Sequence, residues 1–313
     1  MAESLHASQQ PENFSASQQP QPLQQQPQYP QQPQSLQEPQ VVMLPAPAAA
    51  FPQAIHWDDC TRSIYYVDLF ANRSQTSIYR YDYGENQTYG ASIVGQASPT
   101  FILPMSSECN KSQNHFAVGI SHNTEIIEWD GRSPTANIVG TLFGVELNDP
   151  GSSWDVGRPS ENGIFYGGTF HDSFCSGPAN SSFYRYVNLR QAELLFTGLM
   201  STTGVASDVK RNMLYHIDTS SGSWPISLDT DTDGFVYTDK NYRKTIVQLP
   251  SGLNGIAFGG PRKDILFAIR GSHIIDPFDG RPINIKEIES SLYKVTGLGS
   301  NGPKYRRLIA SLE

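Results

Sequence analysis

The chain runs to 313 residues, with 22 Lys or Arg against 30 Asp or Glu and a formal charge of −8; without basic runs, that balance speaks against nucleic acid or an anionic membrane as partner. No apolar run approaches the ~20 residues a membrane-spanning helix needs. The start, "MAESLHASQQ", has no charged region followed by an apolar core, so no signal peptide is expected and the expected compartment is the cytoplasm.

Residues 9–40 are mostly Gln and Pro. Such a segment has too little apolar surface to offset the entropy of ordering, so residues 1–40 are expected to form a disordered tail, locally polyproline II. It is either a solvated appendage or a binding segment whose partner the sequence does not name. Folding falls to residues 41–313, long enough for one large all-β domain.

From Val41 onward strand follows turn. "SIYYVDL" (63–69), "TSIYRYDY" (76–83), "NHFAVGIS" (114–121), "TEIIEWD" (124–130), "GIFYGGTF" (163–170) and "SSFYRYV" (181–187) are β-branched and aromatic, as are "NMLYHIDT" (212–219), "GFVYTD" (234–239), "DILFAIR" (264–270) and "SLYKVTGL" (291–298). Each is bounded by Gly, Asn, Asp, Ser or Pro. A phrase recurs: apolar strand, polar turn, strand ending aromatic–aliphatic–Asp, strand ending aromatic–Arg–Tyr. Repetition of such a unit every ~40–50 residues predicts a β-propeller. "QVVMLPA" (40–46) is expected to pair with "SLYKVTGL" and close the ring without leaving an edge.

Three cysteines, Cys60, Cys109 and Cys175, form no C-x-x-C pair, which argues against a zinc cage. They fit either a reduced chain or one disulfide plus one thiol. Glycosylation sequons stand at Asn13, Asn72, Asn86, Asn110 and Asn180, more than the about two or three expected by chance. They favour the alternative location, extracellular, should the chain start be misassigned.

"LNGIAFGGPRKDILFAI" (253–269), "SLYKVTGLG" (291–299), "IHWDDCTRSIYYVD" (55–68), "FILPM … NHFAVGI … IIEWDG" (101–131) and "ELNDP" (146–150) occur in the order of a known family. Over most of 41–300 the chain resembles the senescence marker protein (regucalcin), gluconolactonase and luciferin-regenerating enzyme family, its insect branch most closely. The resemblance implies a six-bladed propeller with calcium or zinc at the hub, polarising a lactone carbonyl and activating water. It implies hard oxygen ligands from several inner strands, at ~2.0–2.6 Å.

Carried over position by position, the family's metal-binding Glu falls on Gln53 and its Asn on Thr203. Its Asp falls near Trp224, with no carboxylate in register. The substrate-binding Arg becomes Glu146, while Asn148 and Asp149 persist at substrate or catalytic positions. Fewer charged ligands imply much weaker cation binding. Between 219 and 228 the chain is shorter than the family pattern, and "YRKTIVQLP" (242–250) reads as two strands compressed into one. Blades four and five are thus expected to be incomplete, giving either a thin sector in a six-bladed ring or a five-bladed ring.

"DTDTDG" (229–234) imitates a calcium loop, but the twelfth position is Lys240 and strands flank it, so a turn is expected. His56 beside Trp57 reads as core. The expected function is a binding or structural propeller, with a small-molecule ligand at the hub and no efficient catalysis. The alternative is a lactonase working slowly on a weakly held calcium or zinc ion through Gln53, Thr203, Asn148 and Asp149. A third reading is a secreted component that associates through its tail.

Overall fold

The computed structural model describes residues 39–71, 75–95, 99–105, 114–160, 163–171, 180–188, 191–199, 202–208, 213–218, 224–229, 253–275, 282–284, 288–298, 302 and 307. Every regular element among them is a β-strand. After β1 (Gln40–Met43), the first blade contains β2 (Pro52–Asp58), β3 (Ser63–Asp68), β4 (Ile78–Asp82) and β5 (Gln87–Ile93). The second contains β6 (Ile102–Pro104), β7 (His115–Ile120), β8 (Asn123–Glu128) and β9 (Thr135–Gly144). The third contains β10 (Ser152–Pro159), β11 (Phe165–His171), β12 (Ser181–Asn188) and β13 (Gln191–Leu199).

A fourth sheet shows β14 (Thr202–Asp208), β15 (Met213–Asp218) and β16 (Trp224–Asp229). The last contains β17 (Leu253–Gly259), β18 (Ile265–Arg270) and, beyond the hairpin of β19 (His273–Ile275) and β20 (Pro282–Asn284), β21 (Leu292–Thr296). Strand β1 pairs antiparallel with β21, Gln40 opposite Thr296, and completes this sheet. The chain's first strand thus closes its last blade, as anticipated. Trp224 opens β16, the third strand of its sheet, so the shortened segment ends in that strand. "YRKTIVQLP" and all of "DTDTDG" except Asp229 lie outside the described residues.

The burial pattern explains the dense aromatic runs. Strand β3, "SIYYVD", is buried at every position. Successive side chains leave a strand on opposite faces. Ile64 and Tyr66 enter a core shared with the last blade, around Trp57, Phe267 and Ile269. Tyr65 and Val67 enter another, shared with Ile102, Phe116 and Val118 of the second blade. Phe101, Leu103 and Phe143 meet Trp154, Phe165 and Tyr184 of the third blade in the next. Val156, Tyr166 and Phe183 then meet Val205 of the fourth. A sheet covered on both faces has no solvent side to pattern, so continuous apolar strands replace simple alternation.

Polar positions in the recurrent phrase have structural work. Asp68, ending β3, accepts from the backbone N–H of Ala50 (2.8 Å), Phe51 (2.8 Å) and Phe70 (3.2 Å), fixing the approach to β2. Asp82, ending β4, accepts from Gly84 N (2.9 Å) and Glu85 N (3.0 Å) and pairs with Arg80 at 2.6 Å.

Candidate functional site

Among the described residues the inner strands pack in the order β17, β2, β6, β10, β14. Four of the five carry a bulge near their start. In β2 the register shifts between Gln53 and His56, with Ala54 at φ +53°. In β10 the extra residue is Asp155, between Trp154 and Val156. In β14 it is Thr203, between Thr202 and Gly204, and in β17 it is Asn254, between Leu253 and Gly255. A bulge re-aims the backbone where pairing is interrupted, and bulges concentrate beside functional sites. Their recurrence at one end of successive inner strands defines the candidate site.

Gln53 links three blades. Its amide nitrogen donates to the backbone carbonyl of Thr100, just ahead of β6, at 2.9 Å, and to that of Asp155 at 3.4 Å. Both partners only accept, so the side-chain NH2 must face them. A dication at a propeller hub would tie inner strands together by drawing in such oxygens; here an uncharged amide does so. A carboxylate at this position would instead confront two carbonyl oxygens.

Gln53 and Thr203, the metal positions the resemblance implies, both fall on inner strands at bulges. Asp155 and Asn254 were missed. The signal for Asn254 was present: "TGVA" (203–206) and "NGIA" (254–257) are the same phrase, a polar residue and glycine opening an inner strand. The amide nitrogen of Asn254 is buried, without a hydrogen-bond partner among the described residues. Asp155 is the one acid among the four bulges.

Glu146, Asn148 and Asp149 stand on the loop from β9 into β10. The Glu146 carboxylate accepts from the Tyr184 hydroxyl at 3.0 Å and from Ser152 Oγ. Burial and this carboxylate push the Tyr184 phenol up. His122 Nε2 donates to the carbonyl of Asp149 at 2.6 Å, while Asp149 Oδ1 meets His171 Nε2 at 3.2 Å and Gly151 N at 3.2 Å. Asn148 is exposed. These contacts brace the loop against the β7–β8 turn, β10, β11 and β12.

Charge collects further along β2. Asp58 is gripped by the guanidinium of Arg307 through both oxygens, Nε to Oδ1 at 2.8 Å, and by Thr61 Oγ1 at 2.6 Å. Burial alone would raise this carboxyl, but the Arg307 fork and the Thr61 hydroxyl outweigh it and hold it below its usual range. Lys263 pairs with Asp59. His56, 1% exposed, is driven down to about 3 by burial first and then by Arg158, with Arg307 and Lys263 adding to the effect and Asp58 opposing it. It is a neutral imidazole at neutral pH, consistent with a core role.

Among the described residues the inner-strand bulges offer a largely neutral donor set. Among the described residues no three His, Cys, Asp or Glu converge. The Gln53 amide presents hydrogens, not oxygen, to the carbonyls it faces. A single acid among the bulges supplies little charge to displace a dication's water.

No family model matches the sequence. No curated protein matches it either. Solved structures do. A luciferin-regenerating enzyme is similar over 88% of this chain and 100% of its own, with a TM-score of 0.65 at 18% identity. A calcium-binding protein, regucalcin, from Agrobacterium tumefaciens is similar over 84% of this chain and 96% of its own, with a TM-score of 0.52 at 13% identity. The chain has the β-propeller fold of luciferin-regenerating enzyme and regucalcin.

Proposed function

We propose that this propeller binds a small hydrogen-bonding molecule at its hub and does not hydrolyse lactones on a divalent cation. The observation that carries this reading is the Gln53 amide, whose donors are committed to the Thr100 and Asp155 carbonyls. With that staple formed, strands from three blades are held together by a neutral group. Asn254, on the bulge of β17, favours a ligand recognised by an amide group.

The second reading, slow metal-assisted hydrolysis of a lactone or related ester, draws support from Asp155, an acid at the same end of the inner strands. A lactone panel with calcium or zinc at saturating concentration separates the two. The binding reading predicts ring opening no faster than in the protein-free control. Saturable turnover that a chelator abolishes overturns it.

A further inference from the structure

We propose that the chain is matured in an oxidising, glycosylating compartment and carries N-linked glycans at Asn86 and Asn180. Two unrelated observations meet here. Cys60 is disulfide-bonded; the remaining cysteines of the sequence, Cys109 and Cys175, lie outside the described residues. Structural disulfides form and persist where the redox poise is oxidising, in the secretory lumen and outside the cell. The sequons supply the second observation, because the two whose asparagines are described both present them at the surface.

Asn86 opens "NQT" at the tip of the hairpin joining β4 to β5, in the exposed run 84–87. Its φ of +52° is a conformation asparagine tolerates in tight turns. Its side-chain oxygen accepts from the Tyr81 hydroxyl at 2.8 Å. A sugar on Nδ2 leaves that oxygen in place, so modification and turn are compatible. Asn180 opens "NSS" and is exposed just ahead of β12. Ser182 of the same sequon is buried, its backbone N–H donating to Thr169 Oγ1 at 2.8 Å. A transferase must read that hydroxyl in an extended chain, so modification at Asn180 precedes folding of the third blade. "NQT" stays on an open hairpin tip.

In each transfer the asparagine Nδ2 forms a bond to the anomeric carbon of a lipid-pyrophosphate-linked oligosaccharide. The carbon–oxygen bond to pyrophosphate breaks, the amide releases one proton, and the lipid pyrophosphate departs. The disulfide forms separately: two thiols give up two electrons and two protons to a disulfide oxidant of the same compartment.

The test is a peptide map of the native protein, alkylated without reduction and treated with peptide N-glycosidase in heavy-oxygen water. The proposal predicts Cys60 in a cross-linked peptide and isotopically marked Asp at positions 86 and 180. Cys60 recovered as the alkylated thiol overturns the compartment; unmarked Asn at both positions overturns the glycan assignment. On the full chain secreted from cultured cells, Asn86→Gln and Asn180→Gln should each remove one step of a glycosidase-sensitive mobility shift. A shift unchanged in both variants also overturns the assignment.

Discussion

At the scale of single residues, the hub turns on what Gln53 presents to its neighbours. Gln53→Glu replaces the donating amide nitrogen by a carboxylate oxygen facing the Thr100 and Asp155 carbonyls. The variant is expected to lose about 1–3 kcal/mol of stability in urea unfolding at pH 7. Part of that loss should return on acidification, since the protonated acid regains a donor. His56 gives a second residue-scale prediction. Its folded pKa, about 3, lies below the ordinary 6.5. Above 6.5 the imidazole is neutral in folded and unfolded chains alike and costs nothing. As pH falls from 6.5 toward 3 the unfolded chain takes the proton and the folded chain refuses it, so stability declines by at most about 1.4 kcal/mol per pH unit. Asp58, held below its usual range, adds loss in the same direction at the acid end. Unfolding midpoints of His56→Leu across this window should fall less steeply than those of the parent chain; equal slopes would remove His56 from the account.

At the scale of elements, the inner strands and their bulges decide what the site contains. Gly168 on β11 shows how closely blades approach: a Cβ there would overlap Thr202 Oγ1 on β14. Gly168→Ala is expected to destabilise by roughly 1–3 kcal/mol through overpacking between the third and fourth blades, read as a lowered thermal midpoint, and Thr202→Ala in the same chain should restore part of it. The strands were legible in the sequence because each blade buries both faces, so "SIYYVD" and "ILFAIR" stand out without periodicity analysis. The bulges were not. "ELNDP" matches a family phrase by its letters, yet Asn148 and Asp149 lie on the loop before β10. Asp155 reaches its bulge through the register that sets Trp154 opposite Thr169 and Val156 opposite Gly168. Register is a property of two paired strands, and one strand's letters do not contain it.

At the scale of the whole molecule, the propeller resolves a conflict between scaffold and chemistry. Among the described residues apolar cores join the last blade to the first and then the first through the fourth in turn, and β1 completes the last sheet. Those contacts are apolar, so the scaffold is built separately from the groups that line the hub. The order of strands and the closing role of β1 could be read from sequence because local apolar runs encode them. The electrostatic state of the hub could be read only in part, because it depends on donors from strands far apart in the chain. The measurement that tests this account most directly is calorimetric titration of the native protein with calcium and with zinc. The account predicts no saturable binding tighter than about 100 μM, some 5.5 kcal/mol; a stoichiometric site tighter than that, lost on Gln53→Ala, would contradict it.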